Sequence, residues 1–186
     1  MKTLFSFVML LGFACAATAQ RSPDAVPWAK EIKDPVTSVF RGEMRVYRNK
    51  LIWAAEEMPA EKYSFRPPFQ KISFADLMIQ IVESNYEFCA VAGGIEAPQP
   101  QKLPGADGKD KLLPAVKASF DFCQSAFSKV HDRQLAEVVY FSREMMAERV
   151  GTLFGLIGNW ADHYRLATVY FRLNGLTPPL TAGEEY

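Results

Sequence analysis

The chain has 186 residues, of which 49% are hydrophobic and 23% are charged, so it can form one domain with a buried core. Its 21 Lys plus Arg residues balance its 21 Asp plus Glu residues, and this zero formal charge argues against a protein that binds nucleic acid by neutralising phosphates. Three Cys and two His residues are too few for a zinc framework of Cys and His ligands.

The N-terminal segment has the pattern of a secretory signal peptide. Lys2 precedes an apolar run over residues 4–17, and the run ends in Ala17-Thr18-Ala19, which are small residues of the kind that signal peptidase requires. We therefore predict cleavage after Ala19, which makes residues 1–19 the signal peptide. The mature protein is then expected in the periplasm or outside the cell.

Two alternatives to cleavage are weaker. An uncleaved anchor would need roughly 20 apolar residues, and neither this run nor any later stretch reaches that length. Lipid attachment at Cys15 would need a lipobox, but Gly12 lies where such a motif usually has leucine. After cleavage, residues 20–34 form a lead-in arm without helical periodicity.

Hydrophobic periodicity predicts two helices in the first half of the mature chain. The first covers residues 35–58 and follows Asp34, a predicted N-cap. The second covers residues 74–92, with Ser73 and an acidic residue three positions later forming a capping box. The inward stripes are predicted to be Val36, Phe40, Met44, Tyr47, Leu51, Ala54 and Met58 in the first helix, and Phe74, Leu77, Ile81, Asn85, Phe88 and Ala92 in the second.

The second half of the mature chain is less regular. Residues 95–110 are rich in proline and glycine and predict a long connection, either a crossover or a lid. A third helix is predicted over residues 111–130, with Pro114 in its first turn. Residues 131–143 fit either a short extended piece or the edge of a helix. A fourth helix is predicted over residues 145–173.

Four amphipathic helices can bury their apolar stripes only against one another. The predicted fold class is therefore all-α, a four-helix bundle over residues 35–179, followed by a flexible tail over residues 180–186. In the fourth helix Gly151, Gly155 and Gly158 recur at three- and four-residue spacing, which predicts a face where helices pack closely.

Export affects how the two remaining cysteines are interpreted. Cys89 and Cys123 stay in the mature chain, and a disulfide between them can persist in an oxidising compartment. Two small buried hydrophobic residues are an equally good interpretation. A bridge needs Cα atoms within about 7 Å, so antiparallel second and third helices would have to be staggered.

Three polar side chains are predicted to converge inside the bundle. Asn159 and His163 are four residues apart, so they project from one face of the fourth helix. Gln80 lies at the edge of the inward stripe of the second helix, so two neighbouring helices could direct all three side chains to one point. From the residues alone, a hydrogen-bonded core cluster explains this set more simply than a ligand site.

Two carboxylates close to these residues in the sequence are further candidates for a ligand or a general base. Glu83 lies one turn past Gln80, and Asp162 adjoins His163, so either carboxylate could complete a ligand set or act as a general base. Both positions also fit a solvated helix flank. The other histidine, His131, has no partner visible in the sequence.

Three blocks of the sequence resemble the DinB-like (YfiT-related) four-helix family. Residues 54–67, AAEEMPAEKYSFRP, resemble the end of that family's first helix, and residues 84–86, SNY, resemble part of its second helix. His163-Tyr164 and residues 170–179, YFRLNGLTPP, resemble its C-terminal block, which is the most specific of the three. The likeness extends over residues 36–179.

The resemblance implies a divalent metal site formed by one histidine of the second helix and an H-x-x-x-H pair of the fourth. Counted from the matched motifs, Gln80 and Asn159 occupy two of these histidine positions, and only His163 keeps the ligand type. Amide oxygens are poor ligands for zinc or nickel, and changes around the ligands alone already cost about 10- to 100-fold in affinity. We therefore expect a degenerate site with no cofactor, or with zinc or nickel bound only weakly.

Two kinds of function follow from the resemblance. The first is a binding or structural module whose partner is an unknown small molecule or protein. The second is a divergent metal-dependent hydrolase or transferase that uses His163 with Glu83 or Asp162, although the thiol cofactors of relatives are cytosolic. A third interpretation is partner binding through residues 95–104. The resemblance also allows a homodimer.

Overall fold

The computed structural model describes residues 32–98, 108–142 and 144–178. The predictions for the signal peptide, for most of the lead-in arm and for the tail over residues 180–186 lie outside these residues, as does most of the segment 95–104. Within the described part, no helix is long and apolar enough to cross a membrane. The elements are α1 (Pro35–Glu57), α2 (Phe74–Gly93), α3 (Lys109–Phe127), β1 (Val138–Tyr140), β2 (Met146–Glu148) and α4 (Arg149–Leu173), with single 3-10 turns at Ala60–Lys62 and Asp132–Gln134.

The four helices form a bundle in which α1 and α2 lie diagonally opposite, and α3 and α4 fill the other two corners. Helices α2 and α3 run parallel, because residues 34 positions apart in the chain meet at two levels, Asn85 with Ser119 and Cys89 with Cys123. Helices α2 and α4 run antiparallel, as the contact of Asn85 with Trp160 and that of Phe74 with Phe171 show. The connection between α2 and α3 is therefore a crossover.

Several helix ends differ from the predicted ones. Helix α3 begins at Lys109 rather than at residue 111, so Pro114 is its sixth residue and lies beyond the first turn, contrary to the prediction. Helix α4 begins at Arg149 rather than at residue 145, because residues 146–148 form β2, which pairs antiparallel with β1. The ambiguous residues before β2 thus include an extended piece.

The start of α2 confirms the predicted capping box. The backbone N–H of Asp76 donates to the hydroxyl of Ser73 (3.1 Å), and the Asp76 carboxylate accepts from the backbone N–H of Ser73 (2.8 Å). At the other end of the helix, Gly94 adopts the left-handed conformation (φ 67°) that favours glycine at a C-terminal cap. Local sequence therefore determines both ends of α2.

The start of α1 is capped from a distant part of the chain. The predicted cap, Asp34, has a left-handed backbone and makes no capping bond; its carboxylate instead accepts from His131 Nδ1 (2.7 Å) and from the backbone N–H of Asp132 (3.0 Å). The Asp132 carboxylate accepts from the backbone N–H groups of Val36 and Thr37, each at 2.9 Å. Asp34 therefore occupies the predicted N-cap position without capping the helix through its side chain, and His131 has a partner that the sequence did not reveal.

These hydrogen bonds favour the charged form of both carboxylates. The bond from His131, followed by the one from the Asp132 backbone, lowers the pKa of Asp34. Desolvation opposes the charge on Asp132, but its hydrogen bonds from Thr37 and Val36 outweigh this effect, so its pKa is also lowered. Both acids therefore remain ionised at neutral pH and hold the N-terminus of α1.

A buried polar chain crosses the centre of the bundle. The indole N–H of Trp160 donates to Asn85 Oδ1 (2.7 Å), the Asn85 amide donates to the hydroxyl of Ser119 (2.9 Å), and Ser119 donates to the carbonyl of Val116 (2.8 Å). Asn85, Ser119 and Trp160 are all fully buried. This polar chain, which we call the central network, links α2 with both α3 and α4.

Whether Cys89 and Cys123 can form a disulfide depends on the relative direction of α2 and α3. In the structure a disulfide joins Cys89 and Cys123, and their Cα atoms are 5.1 Å apart. In antiparallel helices without a stagger, these two residues would lie at different levels. Because α2 and α3 run parallel, the two cysteines face each other. One turn further, Gly93 allows close approach, since a Cβ at this position would lie 2.7 Å from the Cβ of Ala126.

The predicted glycine face of α4 is not used within the bundle. A Cβ at position 151, 155 or 158 would meet no atom within 4 Å among the described residues, and all three glycines are exposed. The predicted close packing at Gly151, Gly155 and Gly158 is therefore wrong for this protomer.

The central network generates a stability prediction. Asn85→Ala removes the partner of the Trp160 indole and leaves buried polar groups unsatisfied, so we expect the free energy of unfolding to fall by roughly 2–4 kcal/mol. Urea unfolding followed by circular dichroism measures this change. Asn49→Ala makes the same chemical change at an exposed position of α1 and should cost less than about 0.5 kcal/mol. Equal stability of the two variants would contradict the role of the network.

Candidate functional site

The residues predicted to form a site lie along the seam between α2 and α4. The hydroxyl of Ser84 donates to Asn159 Oδ1 at 3.1 Å. The two helices run antiparallel, so the residue one turn before Ser84 faces the level one turn after Asn159. Gln80 and His163 occupy these two positions. The fold therefore brings Gln80, Asn159 and His163 into neighbouring levels of one seam.

The seam lies at the bundle surface rather than in its interior. Gln80 is exposed, while Asn159 and His163 are half-buried. The neighbouring residues Asn85 and Trp160 point into the core, and a helix turns by about 100° per residue, so Ser84 and Asn159 lie beside the core and not within it. Among the described residues, no hydrogen bond joins Gln80 to Asn159 or to His163.

The hydrogen bond of His163 defines its tautomer. Its Nδ1 lies 2.8 Å from the backbone carbonyl of Asn159, and because a carbonyl only accepts, Nδ1 carries the proton. Burial disfavours the charged ring and lowers the pKa of His163 below 6.5, although the bond to Asn159 and the charge of Asp162 act in the opposite direction. The ring is therefore neutral at pH 7, with the lone pair on Nε2.

Both candidate carboxylates are exposed to solvent. Asp162 has a side chain that is 78% exposed and pairs with Arg165 at 3.5 Å. Glu83 is also exposed. In the part of the chain that the structure describes, no group of three or more His, Cys, Asp or Glu side chains is placed to hold a metal ion.

The donor set does not fit a zinc or nickel ion. It contains one imidazole nitrogen and two amide groups, and Asn159 Oδ1 already accepts a hydrogen bond from Ser84. Zinc sites in proteins normally combine three or four nitrogen, sulfur or carboxylate ligands. The seam instead has the chemistry of a hydrogen-bonding surface.

Two contributors near the seam were not predicted. Ser84 is the partner of Asn159, and its spacing of four residues from Gln80 was the available signal. The Lys50 ammonium lies 4.7 Å from the ring centroid of Tyr164 and 5.9 Å from that of Tyr47. This cation-π contact joins α1 to α4 next to His163, and periodicity could not reveal it because it crosses two helices.

Comparison with known proteins identifies the fold. The structure is similar to the crystal structure of a DinB-like protein, YjoA, from Bacillus subtilis, with a TM-score of 0.62 and 18% sequence identity. The match covers 78% of this chain and 96% of that one. No family model and no curated protein matches the sequence. The chain therefore has the DinB-like four-helix fold that its sequence motifs resemble.

The buried ring of His163 generates a pH prediction. We expect its imidazole to titrate with a pKa below 6.5, because burial penalises the charge. Proton NMR of the ring resonances measures the midpoint, and His163→Gln assigns the signal by removing it. A midpoint at or above the normal value would contradict the burial argument.

The same lowered pKa determines the sign of a stability effect. Above the unfolded-state pKa, His163 is neutral in both states; as the pH falls, the unfolded chain binds the proton first and the folded state loses stability. From about pH 7 to about pH 5, the free energy of unfolding should fall less steeply in His163→Gln than in the native chain.

Proposed function

We propose that this protein is an exported binding or structural module with the DinB-like fold and a degenerate metal site. The observation that carries the proposal is the hydrogen bond from Ser84 to Asn159. In the family that the sequence resembles, the position of Asn159 in the fourth helix holds a metal-binding histidine. Here an amide occupies it, and its oxygen is satisfied by a hydroxyl of the neighbouring helix.

The chemistry of the seam supports binding without a resident metal. A neutral imidazole and two amides offer donors and acceptors of moderate strength, which suit polar recognition better than activation of water. A metal-dependent enzyme would need further ligands beside His163, and among the described residues no group of three or more His, Cys, Asp or Glu side chains could hold a metal ion. We therefore propose that the protein acts as a module that binds its partner through its surface.

A metal-dependent hydrolase or transferase is the second candidate. It would use His163 with Glu83 or Asp162. The exposure of both carboxylates and the pairing of Asp162 with Arg165 favour this arrangement less, because both side chains lie in solvent.

The disulfide supports export. Bridged cysteines persist in oxidising compartments and are rare in the cytosol, so the bond between Cys89 and Cys123 agrees with the predicted cleavage after Ala19.

Metal analysis tests the degenerate site. Protein purified without chelator and without an affinity tag should contain far less than one equivalent of zinc, nickel or iron by mass spectrometry of the elements. About one equivalent of any of these metals would overturn the proposal and favour the enzyme.

Restoring the histidines tests the geometry of the site. We expect the double variant Gln80→His with Asn159→His to bind zinc at least on the order of 100-fold more tightly than the native chain, since it regains two imidazoles. Adding His163→Ala should remove the gain. Asn49→His with Gln124→His is the matched control, because it places two histidines at exposed positions away from the seam. No gain over this control would contradict the predicted convergence.

Intact mass tests export and bridging together. Expressed with its own N-terminus in a host that exports proteins, the chain should begin at Gln20 and be lighter by the two hydrogens that a disulfide removes. Reductant should restore these hydrogens, and Cys89→Ser with Cys123→Ser should lack the difference and lose roughly 2–5 kcal/mol of stability. A chain that begins at Met1 would contradict export, and free thiols would contradict the bridge.

A further inference from the structure

The hairpin formed by β1 and β2 is anchored to the bundle. The side chain of Val139 is buried, and the ring of Phe141 lies 5.2 Å from that of Phe88 in α2. At the base of the hairpin, the buried Arg149 donates to the carboxylate of Glu137 at 2.8 Å. These contacts hold both strands in place, so the free edge of the hairpin is preorganised for binding.

Large side chains cover the outer face of the hairpin. Val138 and Tyr140 of β1 are 49% and 63% exposed, and Met146 of β2, which lies opposite Tyr140, is 65% exposed. The three side chains share one face, because residues that alternate along a strand point to the same side of a sheet. Large apolar side chains grouped on a protein surface indicate an interaction site.

The outer edge of β1 has backbone groups without a partner. The backbone N–H of Phe141 donates to the carbonyl of Met145 at 2.8 Å, across the hairpin. In an antiparallel pair, bonded residues alternate with residues whose N–H and C=O groups point away, so those of Val138 and Tyr140 point away from β2. Among the described residues, no hydrogen bond reaches the backbone of Val138 or Tyr140 at this edge.

Such an edge is complementary to an extended peptide. An added strand pairs its own N–H and C=O groups with those of the edge, and every second side chain lies beside Val138 and Tyr140. Edge strands of natural proteins are commonly protected from pairing by charged side chains or proline. The sequence of β1 is Val-Val-Tyr, so the strand has neither form of protection.

The charge around the edge indicates which peptide it suits. Residues 137–148 include three glutamates and one arginine, whereas the whole chain has zero formal charge. Glu144 and Glu148 are exposed, and the side chain of Glu137 is 52% exposed. An acidic hairpin attracts a basic segment, and it disfavours both an anionic lipid surface and a second acidic hairpin.

We propose that the outer edge of β1 binds an extended segment of a partner protein, in which alternating apolar side chains are flanked by basic ones. The segment adds a third strand to the hairpin, and its apolar side chains pack on Val138 and Tyr140. This inference rests on the proposed role as a binding module and identifies a surface and a class of partner. It does not depend on the seam at His163, so a hairpin that binds no peptide would leave the degenerate metal site unaffected.

NMR titration with a model peptide tests the added strand. The probe is a hexapeptide with blocked ends, in which valine and threonine alternate between two terminal lysines. We expect the backbone amide signals of Val138 and Tyr140 to shift with a dissociation constant on the order of 1 mM, because a short edge offers few hydrogen bonds. Glutamate in place of both lysines should weaken binding at least about 5-fold. Unchanged signals, or equal binding of the two peptides, would contradict the proposal.

Methylation of the peptide backbone distinguishes strand addition from adhesion of apolar side chains. Only every second N–H of an added strand faces β1. N-methylation of one alternate set of amides should therefore weaken binding at least about 10-fold, while methylation of the other set should have little effect. Equal effects of the two sets would show that no strand is added.

Proline at the edge is the corresponding change in the protein. The N–H of Tyr140 points away from β2, so Tyr140→Pro blocks the edge without removing a bond within the hairpin, and the peptide should no longer shift the signal of Val138. Met146→Pro is the matched control, because it removes an outward N–H from the opposite edge and should leave binding unchanged. The circular dichroism spectrum and thermal unfolding verify that both variants are folded. Binding that survives Tyr140→Pro would overturn the proposal.

Two other results would assign the exposed side chains to a different occupant. Cosedimentation of the native chain with vesicles of phosphatidylcholine and phosphatidylglycerol, lost in Tyr140→Pro, would indicate a lipid surface. Shifts of the Val138 and Tyr140 signals with protein concentration alone would indicate pairing with a second copy. Either result would overturn the peptide as the occupant of this edge.

Discussion

The burial of one amide determines how the helices are aligned. Asn85 lies in the core of α2, where its oxygen and nitrogen both need hydrogen-bond partners, and it finds them in Trp160 of α4 and Ser119 of α3. A slide of either helix by one residue would rotate these partners away by about 100° and leave buried polar groups unpaired. Apolar contacts alone tolerate such slips far better, so the amide gives the bundle its register.

Two other features of the bundle follow from this register. Residues one position before Asn85 and Trp160 face each other at the edge of the core, and these are Ser84 and Asn159, whose hydrogen bond begins the candidate site. On the other side of α2, the level one turn beyond Asn85 brings Cys89 against Cys123. The polar seam and the disulfide are thus both consequences of the same core contact, and neither requires a metal ion to position it.

The sequence predicts the structural features that depend on residues close to each other in the chain. The four helices, the capping box at Ser73 and Asp76, and the shared face of Asn159 and His163 all follow from spacings of three or four residues. Helix direction could not be predicted, because periodicity is the same for a parallel and an antiparallel helix, and so the sequence left open whether the two cysteines face each other.

Features that join distant segments were also beyond prediction. The carboxylate that caps α1 comes from Asp132, far along the chain, while the local acid Asp34 binds His131 instead. The contact of Trp160, the largest fully buried side chain, with Asn85 of α2 was not predicted either. The seam lies at the surface because the core contacts another side of α2 and α4. The periodicity of a single helix does not show how its residues lie relative to the neighbouring helices.

The disulfide has a consequence for the integrity of the chain. It encloses the crossover between α2 and α3 in a covalent loop, since Cys89 precedes the crossover and Cys123 follows it. A protease that cleaves once inside this loop leaves both fragments attached to each other, and the four helices keep their contacts. A single cut in this connection would therefore break the backbone without separating the molecule into two.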